Sequence, residues 1–175
     1  NYLLFVGTIQ PRKNLARLIE ALVTTGSDLE VNLVIAGKLG WMYDEILAAP
    51  KKFGVSGRVK FIGRVAEADL PAVYKLAQVF VWPSLMEGFG LPILEAMTLG
   101  VPVITSDRGA IPEVTGKAAL LVDPQDSKAL SRAIQLVLEN KELREGLVEA
   151  GFKQAARFSW EKAAKKTLAV LTEKW

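Results

Sequence analysis

The sequence predicts an α/β fold: a doubly wound, six-stranded parallel sheet followed by C-terminal helices. Three observations point to it. Short apolar runs alternate with segments of helical spacing from Tyr2 to Val122, the order that right-handed βαβ crossovers produce. Those runs are apolar on both faces instead of alternating, as strands are when helices cover both sides of a parallel sheet. After Pro124 the pattern becomes wholly helical.

The first strand is Tyr2–Val6, and Leu15, Leu18, Ile19 and Leu22 then follow helical spacing behind Asn14, a good N-cap residue. Val31–Ala36 is the second strand, with a looser helix through Ile46 and Leu47. Val59–Ile62 is the third, followed by a helix carrying Leu70, Val73 and Leu76. Val79–Trp82 is the fourth and leads into a helix over Pro92–Leu99. Val101–Thr105 and Ala119–Val122 are the fifth and sixth. Beyond them one helix carries Leu130, Ile134, Val137 and Leu138, a second Leu143 and Leu147, and a third follows Ser159 as its cap. There is no internal repeat and no low-complexity linker, so residues 1–175 read as one domain.

Composition removes several kinds of chemistry. Hydrophobic residues make up 50% of the 175 and charged residues 23%, which excludes disorder. The chain has no cysteine, hence no disulfide, thiolate metal site, iron–sulfur cluster or thiol nucleophile. It has no histidine either, so no imidazole serves as base or metal ligand. Lysine and arginine number 22 against 19 acids, for a net charge of +3. The longest basic runs are pairs, Arg12–Lys13, Lys51–Lys52 and Lys165–Lys166, which argues against nucleic acid as a partner. No apolar stretch reaches the ~20 residues of a membrane span, and no secretory signal opens the sequence. A strand-like run directly after Asn1 suggests a segment of a longer protein, expected in the cytoplasm.

In an open parallel sheet, ligands bind beyond the carboxyl ends of the strands, where helix N-termini point free N–H groups. The segments to read are therefore Gly7–Asn14, Gly37–Trp41, Gly63–Val65, Pro83–Gly90 and Ser106–Ala110. The densest runs from Pro83 to Ala96. Gly88 and Gly90 flank Phe89, and Pro92 sits where a first helical residue tolerates proline. The amides of Gly88 to Leu91 then face outward at a helix start, where an anion gains the helix dipole and small glycines allow close approach. Glu87 lies before that helix and Glu95 one turn into it; a carboxylate suits a vicinal diol such as ribose. The plain alternative is a glycine-rich turn with a solvated or capping glutamate, and the spacing of eight between the two acids favours the ligand reading.

Lys13 enters a helix at the same rim and can neutralise a diphosphate. An ordinary solvated lysine is the alternative there, although the dipole prefers acids at a helix start. The other rim segments say less. Gly37–Trp41 reads equally as a loop with a packed tryptophan, and Gly63-Arg64-Val65 brackets a base or forms a plain turn. Ser106–Gly109 meets a ligand or caps the helix through Ile111. Ile93 replaces the third glycine of a G-x-G-x-x-G pattern, which argues against a nicotinamide dinucleotide. There is no Walker lysine and no Asp-x-Asp. A glycosidase pair of Glu87 and Glu95 is disfavoured because Glu95 sits inside a helix beside a phosphate-type site.

Taken together, the chain resembles the C-terminal, donor-binding domain of retaining GT-B glycosyltransferases of family 4, the group 1 set. The resemblance spans LLFVGTIQPRKNL, LVIAGKLGW, VKFIGRV, VFVWPSLMEGFGLPILEAMTLGVPVITSDRGAIPEV, ALLVDP and RFSW. The E-x7-E arrangement of Glu87 and Glu95 is its most specific feature, and the mannosyltransferase type its nearest subgroup. The resemblance implies a Rossmann-like half of a GT-B enzyme whose substrate is a nucleoside-diphosphate sugar, GDP-mannose among the candidates, with no cofactor and no metal.

Position by position, it implies Glu95 on the ribose, Glu87 at the donor sugar hydroxyls, and the amides of Gly88, Phe89 and Gly90, with Leu91 beside them, near sugar and phosphate. Lys13 falls on the diphosphate, and Arg64 and Val65 fall where the base packs. Many relatives carry an arginine where this sequence has Thr8, so either Lys13 acts without that partner or Arg12 compensates. The acceptor site and any membrane contact belong to a separate N-terminal domain, without which the chain is expected to bind donor weakly and not turn over. Alternatives are a GT-B epimerase or phosphorylase, and a non-catalytic receiver-type module for which Asp107 is the only strand-end support.

Overall fold

Nearly continuous burial along five-residue Tyr2–Val6 makes it a central strand, β1, whose Leu3, Leu4 and Phe5 are fully buried. The computed structural model describes residues 2–25 and 31–172. Within them the chain continues through α1 (Leu15–Thr24), β2 (Asn32–Ala36), α2 (Asp44–Lys52), β3 (Val59–Gly63), α3 (Leu70–Lys75), β4 (Val79–Trp82) and α4 (Leu91–Thr98). It closes with β5 (Val103–Ser106), α5 (Ile111–Thr115), β6 (Leu120–Val122), α6 (Ser127–Glu139), α7 (Lys141–Ala155) and α8 (Trp160–Thr172).

All strand pairings are parallel, in the order β3-β2-β1-β4-β5-β6. The chain winds outward from β1 through β2 to β3, then returns to the other side of β1 and winds outward again. Right-handed crossovers in opposite directions put the helices on opposite faces. The switch point of this strand order, where open parallel sheets bind their ligands, lies between β1 and β4. The expected six-stranded doubly wound sheet is thus present, with strand boundaries within two residues of those expected.

Burial is less uniform than the apolar runs suggest. β4 and β5 are buried throughout, whereas Ile62 of β3 is 44% exposed. Among the described residues β3 is an edge strand, paired only with β2. Beside the switch point, the loops after β1 and β2 approach closely: a Cβ on Gly37 would lie 1.8 Å from the Gly7 carbonyl oxygen, so only glycine fits. Gly7 N–H donates to Ala36 and Gly37 N–H to Gly63, which aligns the ends of β1, β2 and β3.

Asn14 differs from its expected role. It stands before α1 but in the left-handed region, at φ 58°, and its side chain caps nothing. Its amide instead donates to the Pro83 and Pro124 carbonyls at 3.1 and 2.7 Å, tying the loop after β1 to those after β4 and β6. The caps proper are Asp126 on α6 and Asn140 on α7, and Ser159 accepts from Lys162 N–H in the first turn of α8. α1 packs with α2 and α6, and α4 with α7. No residue of α8 is buried, and Trp160, Leu168 and Leu171 stand exposed. Among the described residues no helix is long and apolar enough to cross a membrane.

Candidate functional site

The loops after β1 and β4 meet at the switch point through backbone and side chain together. Leu85 N–H donates to the Arg12 carbonyl at 2.9 Å, and Arg12 Nη1 donates to the Met86 carbonyl at 2.5 Å. Glu87 then joins both cations. Its Oε1 accepts from Lys13 Nζ at 2.6 Å and pairs with Arg12 Nη1 at 2.7 Å. Lys13 and Glu87 side chains are each only 9% exposed, while Arg12 is 40% exposed. The Lys13 ammonium also lies 4.1 Å from the Trp82 ring centroid, a cation–π contact. The Trp82 ring is fixed from below by its indole N–H, which donates to the Val6 carbonyl at 3.1 Å. The backbone of Glu87 is held from the third side, where Ala110 N–H donates to its carbonyl at 3.2 Å.

The charges of this cluster do not cancel. Two cations share one carboxylate, leaving one net positive charge. Burial opposes ionisation of Glu87, but the hydrogen bonds from Arg12 and Lys13 outweigh it and hold its carboxyl below the usual glutamate value. Burial dominates at Lys13 and lowers its pKa, with the Glu87 contacts acting the other way.

α4 begins directly beyond this cluster. Gly90 is its N-cap at φ 95°, a left-handed conformation that suits glycine, and Leu91 and Pro92 open the helix. Pro92 is therefore the second helical residue, one place later than expected. Among the described residues, the N–H groups of Gly88, Phe89, Gly90 and Leu91 donate no hydrogen bond to the protein. Gly88 faces open space, with nothing within 4 Å of where a Cβ would stand. A helix start with free amides, next to a net positive cluster, can hold an anion.

The structure brings Arg12, Lys13 and Glu87 into direct contact, beside the Gly88–Leu91 segment. Phe89 is 40% exposed, and its ring packs edge-on against Phe158 with centroids 5.5 Å apart. Glu95 is exposed on α4 and meets a different partner: Tyr74 Oη donates to its Oε2 at 2.9 Å. Thr8 is half-buried, next to where a Gly40 Cβ would project. Arg64 is exposed after β3, and Val65 packs partly buried on the core. Trp41, whose plain alternative is a packed tryptophan in a loop, is 58% exposed, so that alternative does not hold.

The family model "Glycosyl transferases group 1" matches residues 1–154. The chain belongs to this family. It is 40% identical over 169 residues to the O-antigen chain mannosyltransferase B of Escherichia coli, an alignment covering 95% of this chain and 44% of that protein. Among solved structures it is similar to the sucrose-phosphate synthase of Thermosynechococcus elongatus, with TM-score 0.86 and 29% identity over 97% of this chain and 44% of that one. It is also similar to the C-terminal domain of a group 1 family glycosyl transferase from Francisella tularensis, with TM-score 0.77, 26% identity and 89% and 85% coverage. The chain thus spans less than half of the mannosyltransferase it matches. Family and fold agree that this is the C-terminal Rossmann-like domain of a group 1 GT-B glycosyltransferase.

Two parts of the site escape a reading by spacing. Lys13 is neither solvated nor unpaired, because Glu87 answers it from 74 residues away. Tyr74, on α3, gives no local sign that it meets Glu95.

Proposed function

We propose that this domain binds a nucleoside-diphosphate sugar and forms the donor half of a retaining, metal-independent glycosyltransferase that moves a sugar to an acceptor hydroxyl on a glycan or glycolipid. The observation that carries this is the meeting of Arg12, Lys13 and the free amides of Gly88–Leu91 at the switch point. When the sugar–phosphate bond breaks, negative charge collects on the diphosphate and positive character on the sugar ring. Fixed cations and a helix start stabilise that leaving charge without rearranging at the moment of reaction.

In this reading the diphosphate lies against the amides of α4, with Lys13 and Arg12 on its oxygens. Arg12 takes the place of the arginine that Thr8 replaces. Glu87 meets the sugar hydroxyls and Glu95 the ribose, while Arg64 and Val65 flank the base. The mannosyltransferase relatives make GDP-mannose the first donor to test. The acceptor hydroxyl is bound by an N-terminal domain and attacks from the face the phosphate leaves, which retains configuration. The whole protein works in the cytoplasm, touching the inner face of the membrane only through that other domain.

The test joins this domain to an N-terminal acceptor domain and assays UDP-, GDP- and ADP-sugars. The expected result is transfer from at least one donor with retained anomeric configuration, and none by the 175-residue chain alone. Transfer by the chain alone would contradict the division of labour, and hydrolysis or epimerisation without transfer would contradict the reaction.

A further inference from the structure

Tyr74 lies on α3 and is 1% exposed. Its ring packs against Phe80 of β4, with centroids 5.4 Å apart and planes tilted by 48°. Only its hydroxyl reaches toward α4. There it donates to Glu95 Oε2 at 2.9 Å, with the Pro92 carbonyl a more distant acceptor at 3.5 Å. A phenol has one proton to give, and the shorter bond takes it. Burial first, and the carboxylate second, keep Tyr74 protonated well past its ordinary range, so it acts as a donor.

The Glu95 carboxylate is accordingly unequal. Oε2 is held, while Oε1 has no hydrogen-bond partner among the described residues. A free, exposed glutamate samples many rotamers and loses that freedom when a ligand orders it. Here a rigid, buried ring has ordered it beforehand, so a ligand meets a pre-set acceptor. The same bond ties α4 to α3, the helix that follows the Arg64–Val65 segment.

We propose that Tyr74 is a positioning residue for ribose recognition: by holding Oε2 of Glu95, it presents Oε1 to the vicinal hydroxyls of the nucleotide. This rests on the ribose reading of Glu95 above.

The experiment measures Kd by calorimetry for UDP, GDP and ADP and for their 2′,3′-dideoxy analogues, on the 175-residue chain and its variants. The intact chain should prefer the ribonucleotide by about tenfold or more, near the value of one charge-assisted hydrogen bond. Glu95→Ala should abolish that preference. Tyr74→Phe, which keeps the ring, should reduce it to about threefold or less while leaving dideoxy binding unchanged. Glu95→Asp retains the charge but shortens the reach to Tyr74, so it should lose the preference too, without altering the core. A Tyr74→Phe variant that keeps the full preference, while Glu95→Ala loses it, would overturn the positioning role alone. So would a Tyr74→Phe that weakens ribo- and dideoxy-nucleotides equally. No preference in the intact chain would overturn the ribose reading and this inference with it.

Discussion

Lys13 Nζ and Glu87 Oε1 stand 2.6 Å apart across 74 residues of sequence, and Arg12 shares the same oxygen at 2.7 Å. The carboxylate thus serves two cations, one of them nearly buried. Removing it leaves Lys13 charged and without a counter-charge, whereas removing Lys13 leaves Glu87 paired to Arg12. Glu87→Gln should therefore cost about 1–3 kcal/mol of stability, and Lys13→Met less, since it keeps the apolar contact with Trp82. Urea midpoints of the two variants check the order.

The same cluster predicts a pH dependence. The Glu87 pKa in the folded chain lies below its unfolded value, because Arg12 and Lys13 outweigh the burial that opposes ionisation. Between the two values the unfolded chain binds more protons, so stability rises with pH there. The contribution of Glu87 is complete above the ordinary glutamate range near 4.5 and is lost as pH falls through the folded value. The stability difference between the native chain and Glu87→Gln should accordingly shrink on acidification from about pH 6 to pH 3. Denaturant titrations across that range measure it, and a constant difference would count against the pairing.

Two glycines in one loop should respond differently to alanine. At Gly90, φ is 95° and a Cβ would meet Ile93 Cδ1 at 3.0 Å and the Trp82 ring at 3.2 Å, so Gly90→Ala should destabilise by about 1–3 kcal/mol. At Gly88 a Cβ meets nothing within 4 Å. Gly88→Ala should leave the melting temperature nearly unchanged while weakening nucleotide-sugar binding, since the methyl enters the space a donor would use. Melting curves and calorimetry on both variants separate these effects.

The Phe89–Phe158 edge contact links the glycine loop to the turn between α7 and α8. A double-mutant cycle with leucine at each position should give a coupling energy of about 0.5–1.5 kcal/mol. Thermal denaturation of the four proteins measures it, and strict additivity would show the contact to be idle.

What the sequence reveals of this molecule depends on how local each feature is. The strands were legible because buried parallel strands are continuous apolar runs, as in Val79–Trp82, and Gly88-Phe89-Gly90 marked the start of α4 because a left-handed N-cap calls for glycine. Asn14 misleads because its position before a helix is a local signal, whereas its partners, Pro83 and Pro124, are not. Lys13 and Arg12 were legible as cations at the rim; that Glu87 joins them follows only from the packing of two loops. Tyr74 is not legible as part of the site, since its hydroxyl acts across 21 residues on Glu95.

Thermal stabilisation by UDP, GDP and ADP tests the central claim most directly, because a ligand that binds only the folded chain adds RT ln(1 + [L]/Kd) to its stability. At least one of the three should raise the melting temperature of the chain at millimolar concentration, and Lys13→Ala and Glu95→Ala should each diminish the shift measured from their own baselines. A cooperatively melting chain that none of the three stabilises would contradict the claim that this helix start and its cations form a diphosphate site.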